Sequence, residues 1–598
     1  MTRYEILINI LDKIIKEAPD RYSKLYEKDK TKEHLYNASL SRAFIHLFLK
    51  VRFDLLDFGD REHYITDGSN DGGIDGYYID KNNKYVYLFQ SKFRLNEKNF
   101  KEKEISMHEL LSMQISRILD GEKADEKGNL YNGKIQQLQR EISEIEDLPR
   151  YTYKVIIFAN LKDVSTSELQ RLTGGYKVEI IDNSKCYSDF VFPILSGTYY
   201  SKSDLIIQID LSNKIANKIS YTVDTTIGQC VITVLFVPTL EIGKFMSKYK
   251  NSILRYNPRS YLGFKAQDVN RQIAETITNG NTNEFALFNN GITLLSEETE
   301  INEQVAQKGI AKLIVKNPQI INGGQTSYTL SRLYEDHEDK SVFEKKEVLL
   351  KVITLPMDAE NAEKIGLIDK ISNATNHQTP VGPSDRLSNL DEQIYLQNRI
   401  FDRFGMLYER KKGEYSDGIL NGYITGEDVI DRSLFIKIYY VLLGQLKSLK
   451  TRKLFVSHRW SKERIEDDSK ILASLFGCRC YKKLQELPKS NSSDIDMLAR
   501  VKAMVLLYLP QHVEEFEKVI ETNVEEFVKK WEDFINNHSD KVYNISIVKD
   551  KGNGKEKVVY KRERTKMRRW INSNEFEVDL RSFFTKNVSF NINKDCCG

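Results

Sequence analysis

Asp71-Gly72-Gly73-Ile74-Asp75-Gly76, answered by Leu88-Phe89-Gln90-Ser91-Lys92, is the stretch that decides how the first third of the chain is read. Between these two segments lie Tyr77-Tyr78-Ile79-Asp80 and Tyr85-Val86-Tyr87, on either side of the polar tetrad Lys81-Asn82-Asn83-Lys84. Aromatic and β-branched runs around a polar tip predict an antiparallel hairpin. With the tetrad as tip, the numbers of paired residues sum to 165, so Asp75 stands opposite Gln90. Lys92 lies two residues beyond Gln90 and projects from the same face. Three polar groups then converge at the open end, and a slip of one residue in the turn would destroy the convergence. The Asp75 carboxylate and the Gln90 amide oxygen are hard donors suited to Mg²⁺, with Mn²⁺ as the alternative. Lys92 suits the orienting of a water and the countering of charge at phosphorus. A solvent-facing hairpin with a chance lysine has the same spacing, and the residues alone favour neither reading. Asp71 is expected to cap the turn rather than to supply an outer carboxylate.

Around this hairpin the patterning predicts a helix over 37–56, strands over 63–66, 76–80 and 85–93, and a charged helix over 103–119. A loop over 120–134, a helix over 135–145 and a strand over 153–159 follow, giving the order helix, three strands, helix, strand. At these residues the chain resembles the PD-(D/E)XK nuclease superfamily, in its restriction-endonuclease-like Mrr branch, whose motif runs Gly-x-x-Asp, a strand, then Glu or Gln-x-Lys. The resemblance implies Asp75 as metal ligand, Gln90 at a position usually held by an acid, and Lys92 as catalytic lysine. Two departures accompany it. Gln90 is neutral, and no glutamate lies between Asn37 and Arg52, which leaves Glu33 and Glu62 as the substitutes on offer and makes a second metal doubtful.

From 213 to 415 the chain reads as mixed α/β, with strand runs at 231–237, 312–315 and 348–355; helices dominate 424–537, at 433–449, 494–508 and 512–535. The tail returns to β, with 542–548 and 557–561 flanking Asn553-Gly554, a hairpin signal. The middle carries five polar motifs: Asn257-Pro258-Arg259-Ser260-Tyr261-Leu262-Gly263, Phe288-Asn289-Asn290-Gly291-Ile292-Thr293, Ile321-Asn322-Gly323-Gly324-Gln325-Thr326, Asn373-Ala374-Thr375-Asn376-His377-Gln378-Thr379-Pro380-Val381 and Tyr408-Glu409-Arg410-Lys411. Asn290-Gly291 reads as a hairpin turn. Asn322-Gly323-Gly324 precedes a helix over 326–334 and offers either an anion cradle or a tight strand-to-helix turn. Together and in this order the motifs resemble the AIPR (abortive infection phage resistance) family over roughly 223–415. That resemblance implies an antiviral role and an activity directed at DNA. Asn289, Asn290, Asn322, Gly323, Gly324, Gln325, Thr326, Asn376 and Gln378 are the nucleotide- or nucleic-acid-binding candidates, and a buried amide network is the equal alternative.

Composition narrows the classes. Of 598 residues 40% are hydrophobic and 29% charged, a globular balance with a net charge of only +3, so any basic surface has to be local. Two such patches occur, over 447–464 and 557–569, with seven basic residues against one acid in each. Arg452, Lys453 and Arg459 in the first, and Arg562, Arg564, Arg568 and Arg569 in the second, are the DNA-contact candidates. Six scattered cysteines give neither a disulfide framework nor a zinc site, and Cys478 and Cys480 read as ordinary thiols. The first 16 residues form an amphipathic helix without a cleavage site, and the uncharged stretch 225–240 reads as a buried strand too short for a bilayer. A cytoplasmic location without membrane contact is expected.

The reading is therefore a multidomain α/β chain. Residues 1–212 form an αβββαβ nuclease-like domain, 213–420 an AIPR-like α/β core, 421–540 a helical region and 541–598 a β-hairpin with a basic tail. The expected function is antiphage defence by a Mg²⁺-dependent DNA endonuclease. Its expected partners are DNA (RNA stays open), a further copy of the chain and a phage-derived trigger. The alternatives are a nucleotide-hydrolysing switch centred on Asn322 to Thr326 and a non-catalytic nucleic-acid-binding scaffold.

Overall fold

The computed structural model of the chain describes residues 1–81, 83–104, 113–161, 165, 167, 169–170, 173–198, 206–211, 218–257, 261, 267–278, 282–302, 311–356, 360–375, 388–445, 465–487, 494–549 and 556–587. The chain divides into two compact units, 1–378 with 412–425, and 379–411 with 426–598.

The first unit opens on a reciprocal cap. The Glu5 N–H donates to Thr2 Oγ1 at 3.2 Å and the Thr2 N–H to the Glu5 carboxylate at 2.8 Å. This satisfies donors that a helix start otherwise leaves exposed, and α1 (Arg3–Glu17) follows with Ile6, Leu7, Ile10, Leu11 and Ile14 buried. Next come α2 (Glu33–Arg52) and α3 (Phe58–His63), the latter started by Asp57, which accepts the N–H groups of Gly59 and Asp60. Four strands then build a sheet in the order β1 (Gly76–Asp80), β2 (Tyr85–Ser91), β3 (Thr152–Phe158), β4 (Lys177–Ile181). β1 and β2 are antiparallel, and β2–β3 and β3–β4 are parallel. The hairpin register runs from Gly76 opposite Phe89 to Asp80 opposite Tyr85, the register that the polar tip implies. One face buries Tyr77, Ile79, Val86, Leu88, Val155 and Ile157 against Ile115 and Ile118 of the helix Ile115–Leu119 and against Ile135, Leu138 and Ile142 of the helix Gly133–Ser143. The opposite face packs Phe89 and Phe158 on Phe48 of α2, with ring centroids 5.0 and 4.8 Å apart.

Two expectations for this region need correction. The strand expected over 63–66 is reduced to an isolated bridge between Ile65 and Gly76. Asp57 nucleates α3, which takes His63, and the remainder is tied to β1 and the residues just before it by the backbone bonds Tyr77 N–H to Tyr64 O (3.0 Å) and Thr66 N–H to Asp75 O (3.1 Å) and by Thr66 Oγ1 to Ile74 O. The order is thus two helices, a bridge and two strands, not a helix and three strands. Of the helix expected over 103–119, Ile115–Leu119 is helical and 103, 104, 113 and 114 are not, while 105–112 lie outside the described residues; a separate short helix, Glu97–Glu102, precedes it.

Among the described residues the first unit has eight further strands: β5 (Ile206–Asp210), β6 (Ile219–Thr225), β7 (Gly228–Pro238), β8 (Ile292–Ser296), β9 (Glu298–Asn302), β10 (Lys312–Lys316), β11 (Gln319–Asn322) and β12 (Glu347–Thr354). They form two sheets, β5-β10-β9 and β11-β8-β12-β7-β6, in which only the β8–β12 pair is parallel. The stretch 225–240 supplies the turn and second strand of the β6–β7 hairpin. Asn290-Gly291 is not a hairpin turn. The apolar residues before it coil into the short helix Phe285–Phe288, and β8 takes its partners from β11 and β12, distant in sequence.

Gly323 joins β11 to the helix Gly324–Asp336 at φ +81°, where a Cβ would lie 2.7 Å from the Gly291 carbonyl oxygen and 2.8 Å from Ile292 Cα. Gly323→Ala is expected to lower stability by about 3 kcal/mol in urea unfolding, combining backbone strain with the collision. Gly128→Ala, at φ +83° with nothing within 4 Å, carries the strain alone and is the control, at about 1 kcal/mol.

The second unit is mainly helical. The helices Asp391–Phe404, Arg432–Leu442, Asp468–Glu486, Asp494–Tyr508 and Phe516–Asn537 surround one core that includes Leu475, Phe476, Phe527 and Trp531. Cys478 and Cys480 are free, buried thiols within it, pushed up by that burial. β13 (Leu407–Glu409) runs parallel to β14 (Val429–Asp431). β15 (Tyr543–Lys549) and β16 (Glu556–Arg562) pair antiparallel, as the tail patterning predicts, and Asn553-Gly554 lies outside the described residues. Among the described residues no helix is long and apolar enough to cross a membrane.

Candidate metal centre

The loop from Asp67 to Asp75 is curled by left-handed residues, Asn70 at φ 59°, Gly72 at 64° and Gly73 at 75°. Asp71 closes it from inside, accepting the Gly73 N–H at 2.8 Å and the Gly68 N–H at 3.1 Å, the turn-capping role expected of it. Asn132, ahead of the helix Gly133–Ser143, donates its side-chain amide to Thr66 O at 3.0 Å and its N–H to Asn70 O at 3.0 Å. Gln114 N–H reaches Gly72 O at 2.8 Å, and a Cβ on Gly72 would come within 2.6 Å of Ile118. The loop is therefore anchored at both ends and in its middle.

This curl brings Asp67, Asp71 and Asp75 together, one carboxylate oxygen of each within 4.8 Å of the others. Asp75 Oδ2 also accepts the Ser91 N–H at 2.6 Å, which fastens the loop to the end of β2. Burial pushes the Asp75 carboxyl up to about 7; the Ser91 N–H and the Lys92 charge oppose the rise, and the Asp67 and Asp71 charges add to it. Asp71 is raised too, again mainly by burial. Lys92, just past β2, donates its N–H to Phe158 O at 3.0 Å, and its charge acts on both Asp71 and Asp75. Gln90 is buried on β2, in register with Ile157 of β3. Strand alternation gives it the face of Val86 and Leu88. Asp75, Gln90 and Lys92 thus gather at the open end of one hairpin. Three carboxylates within reach of one another form an all-oxygen donor set of the kind that hard divalent cations take.

Asp67 escaped the sequence reading. Its signal was the fourfold spacing of Asp67, Asp71 and Asp75 through a Gly- and Asn-rich loop, which becomes a cluster only once the left-handed residues fold the loop back. The two glutamates offered as substitutes go elsewhere. Glu33 is exposed in the first turn of α2. Glu62, 2% exposed, gives its carboxylate to Arg42 Nη2 at 2.9 Å, His46 Nε2 at 3.1 Å and the Tyr26 hydroxyl.

Two of the amide-rich motifs of the middle, 288–293 and 321–326, meet at the joint where β8 and the helix Gly324–Asp336 begin. Asn289 donates its side-chain amide to Thr326 Oγ1 at 2.9 Å and accepts the Gly291 N–H at 2.9 Å. Asn322 Oδ1 accepts the Gly323 N–H at 2.7 Å, and Gln325 donates to Asn270, which also accepts from Thr329 at 3.0 Å. Gly324 is buried and Asn290 exposed. Asn376 and Gln378 lie outside the described residues, as do Arg452, Lys453 and Arg459. Arg562 ends β16; Arg564 and Arg569 are exposed and Arg568 half-buried on the helix Arg564–Ile571, whose Met567 and Trp570 turn inward.

Residues 254–550 match a family described as AIPR protein. The match begins beyond the acidic hairpin and takes in the amide-rich joint. No curated protein and no solved structure matches the chain.

Proposed function

We propose that this chain, whose residues 254–550 match the AIPR protein family, serves antiphage defence as a Mg²⁺-dependent endonuclease whose site is the hairpin mouth at Asp75, Gln90 and Lys92. The observation that carries the reading is the convergence of Asp67, Asp71 and Asp75 with Lys92 beside them. Asp75 and the Gln90 amide oxygen hold the cation, and Asp67 and Asp71 widen the donor set. When bound, the cation supplies Lewis-acid polarisation of a phosphoryl oxygen. Lys92 orients the attacking water and offsets the negative charge that grows on the phosphoryl oxygens.

The test is purified full-length chain with supercoiled plasmid, and separately with single-stranded RNA, in Mg²⁺ and in chelator. Plasmid nicking that requires Mg²⁺ and is lost in Asp75→Ala supports the reading. Phage plating on cells expressing wild type or Asp75→Ala then ties the activity to defence, with protection expected only from the wild type. Cleavage that persists in chelator, or at full rate in Asp75→Ala, rejects the site.

A further inference from the structure

Behind the acidic loop stands a side chain that belongs to none of the motifs above. Arg42 on α2, 7% exposed, donates Nη1 to the Asp67 carbonyl oxygen at 2.5 Å and lies 3.4 Å from Asp67 Oδ2. Its Nη2 meets Glu62 Oε1 at 2.9 Å, and its Nε meets the Tyr26 hydroxyl at 3.4 Å. Glu62 is fixed in turn by His46 and Tyr26. Arg61 Nε donates to His46 Nδ1 at 3.1 Å, which leaves the imidazole proton on Nε2, facing Glu62. Every member of this network except Asp67 is buried.

The arrangement answers a physical difficulty. Three carboxylates this close repel one another, and Asp67, whose side chain is 37% exposed, is the one free to swing into water. Arg42 Nη1, on a guanidinium fixed through its other nitrogens by Glu62 and Tyr26, reaches both the Asp67 carbonyl and its carboxylate and prevents this. A bare arginine would also repel an incoming cation. Glu62 cancels that charge, so Arg42 supplies geometry without a net field.

Resting on the nuclease reading above, we infer that Arg42 is the positioning residue of the cation site, holding Asp67 within reach of Asp71 and Asp75, and that Glu62 orients Arg42 and does not ligate. The experiment is a mutant cycle on the full-length chain, with Mn²⁺ as the probe and binding followed by electron paramagnetic resonance well below the melting temperature. The variants are Arg42→Met with Glu62→Gln (which leaves no unmatched charge inside), Asp67→Asn, and all three together. The Arg42/Glu62 pair and Asp67→Asn are each expected to weaken Mn²⁺ binding about tenfold, and the triple variant no further. Unchanged affinity in the folded pair variant, or a second tenfold loss on top of Asp67→Asn, overturns the inference. Should the pair variant fail to fold, Arg42→Lys replaces it, keeping the charge against Glu62 but losing the two-point grip, with the same loss expected. A wild-type chain that takes up no Mn²⁺ overturns the cation site itself, whereas a binding wild type with an indifferent Arg42 overturns only the positioning role.

Discussion

Lys92→Ala is expected to slow Mg²⁺-dependent cleavage about a thousandfold while leaving Mn²⁺ affinity unchanged or slightly tighter. The two effects separate because Lys92 is a cation among carboxylates. Its charge already acts on Asp71 and Asp75, so its removal strips a competitor from the donor set and makes the site more attractive to a divalent ion. On the proposed reading the same charge, unlike that of Arg42, which Glu62 neutralises, balances the growing negative charge on the phosphoryl oxygens, so the rate is expected to depend on it. Asp75→Asn behaves differently, losing cation binding and cleavage together, since it removes the carboxylate that Ser91 locks at the loop end. Single-turnover cleavage and Mn²⁺ titration on the two variants distinguish the roles. Lys92→Ala retaining more than about a tenth of the wild-type rate would remove it from the chemistry.

What the residues disclosed in advance was local and periodic. The β1–β2 register followed from alternation and a polar tip, and the β15–β16 hairpin from two runs around Asn-Gly, because each pairing closes over a few residues. Sequence reasoning faltered where a distant partner or a cap decided. Asp57 turned 58–63 into helix and cost the expected strand its first residue. Asn290-Gly291 has the composition of a hairpin turn, yet β8 pairs with β11 and with β12, some 60 residues further on. The site divides in the same way. Asp75, Gln90 and Lys92 share one hairpin and were legible. Asp67 joins them only through three left-handed residues within the loop, Asn70, Gly72 and Gly73, and Arg42 through a helix packed behind it. The amide joint was legible as motifs, but Asn270, which ties Gln325 to Thr329, belongs to none of them.

Magnesium is expected to raise the melting temperature of the chain by several degrees at pH 8 and by almost nothing at pH 5.5. Asp75 carries this prediction. Folding buries its carboxyl and raises it to about 7 from an ordinary value near 3.8, so the folded chain binds a proton more tightly than the unfolded one. Without cation, that preference favours the fold fully below about pH 4 and is lost as pH rises through 7. At pH 8 an ionised, half-buried carboxylate beside Asp67 and Asp71 remains, at a cost of a few kcal/mol, at roughly 1.4 kcal/mol per pH unit of displacement. A divalent cation binds only that ionised form, so its stabilisation grows over the interval in which the proton leaves. Thermal melts in Mg²⁺ and in chelator between pH 5.5 and 8 measure the difference. Asp75→Asn, which has no proton to lose there, should flatten both the pH dependence in chelator and the response to Mg²⁺. An equal Mg²⁺ shift at both ends of the range would mean that the ion binds somewhere other than at these carboxylates.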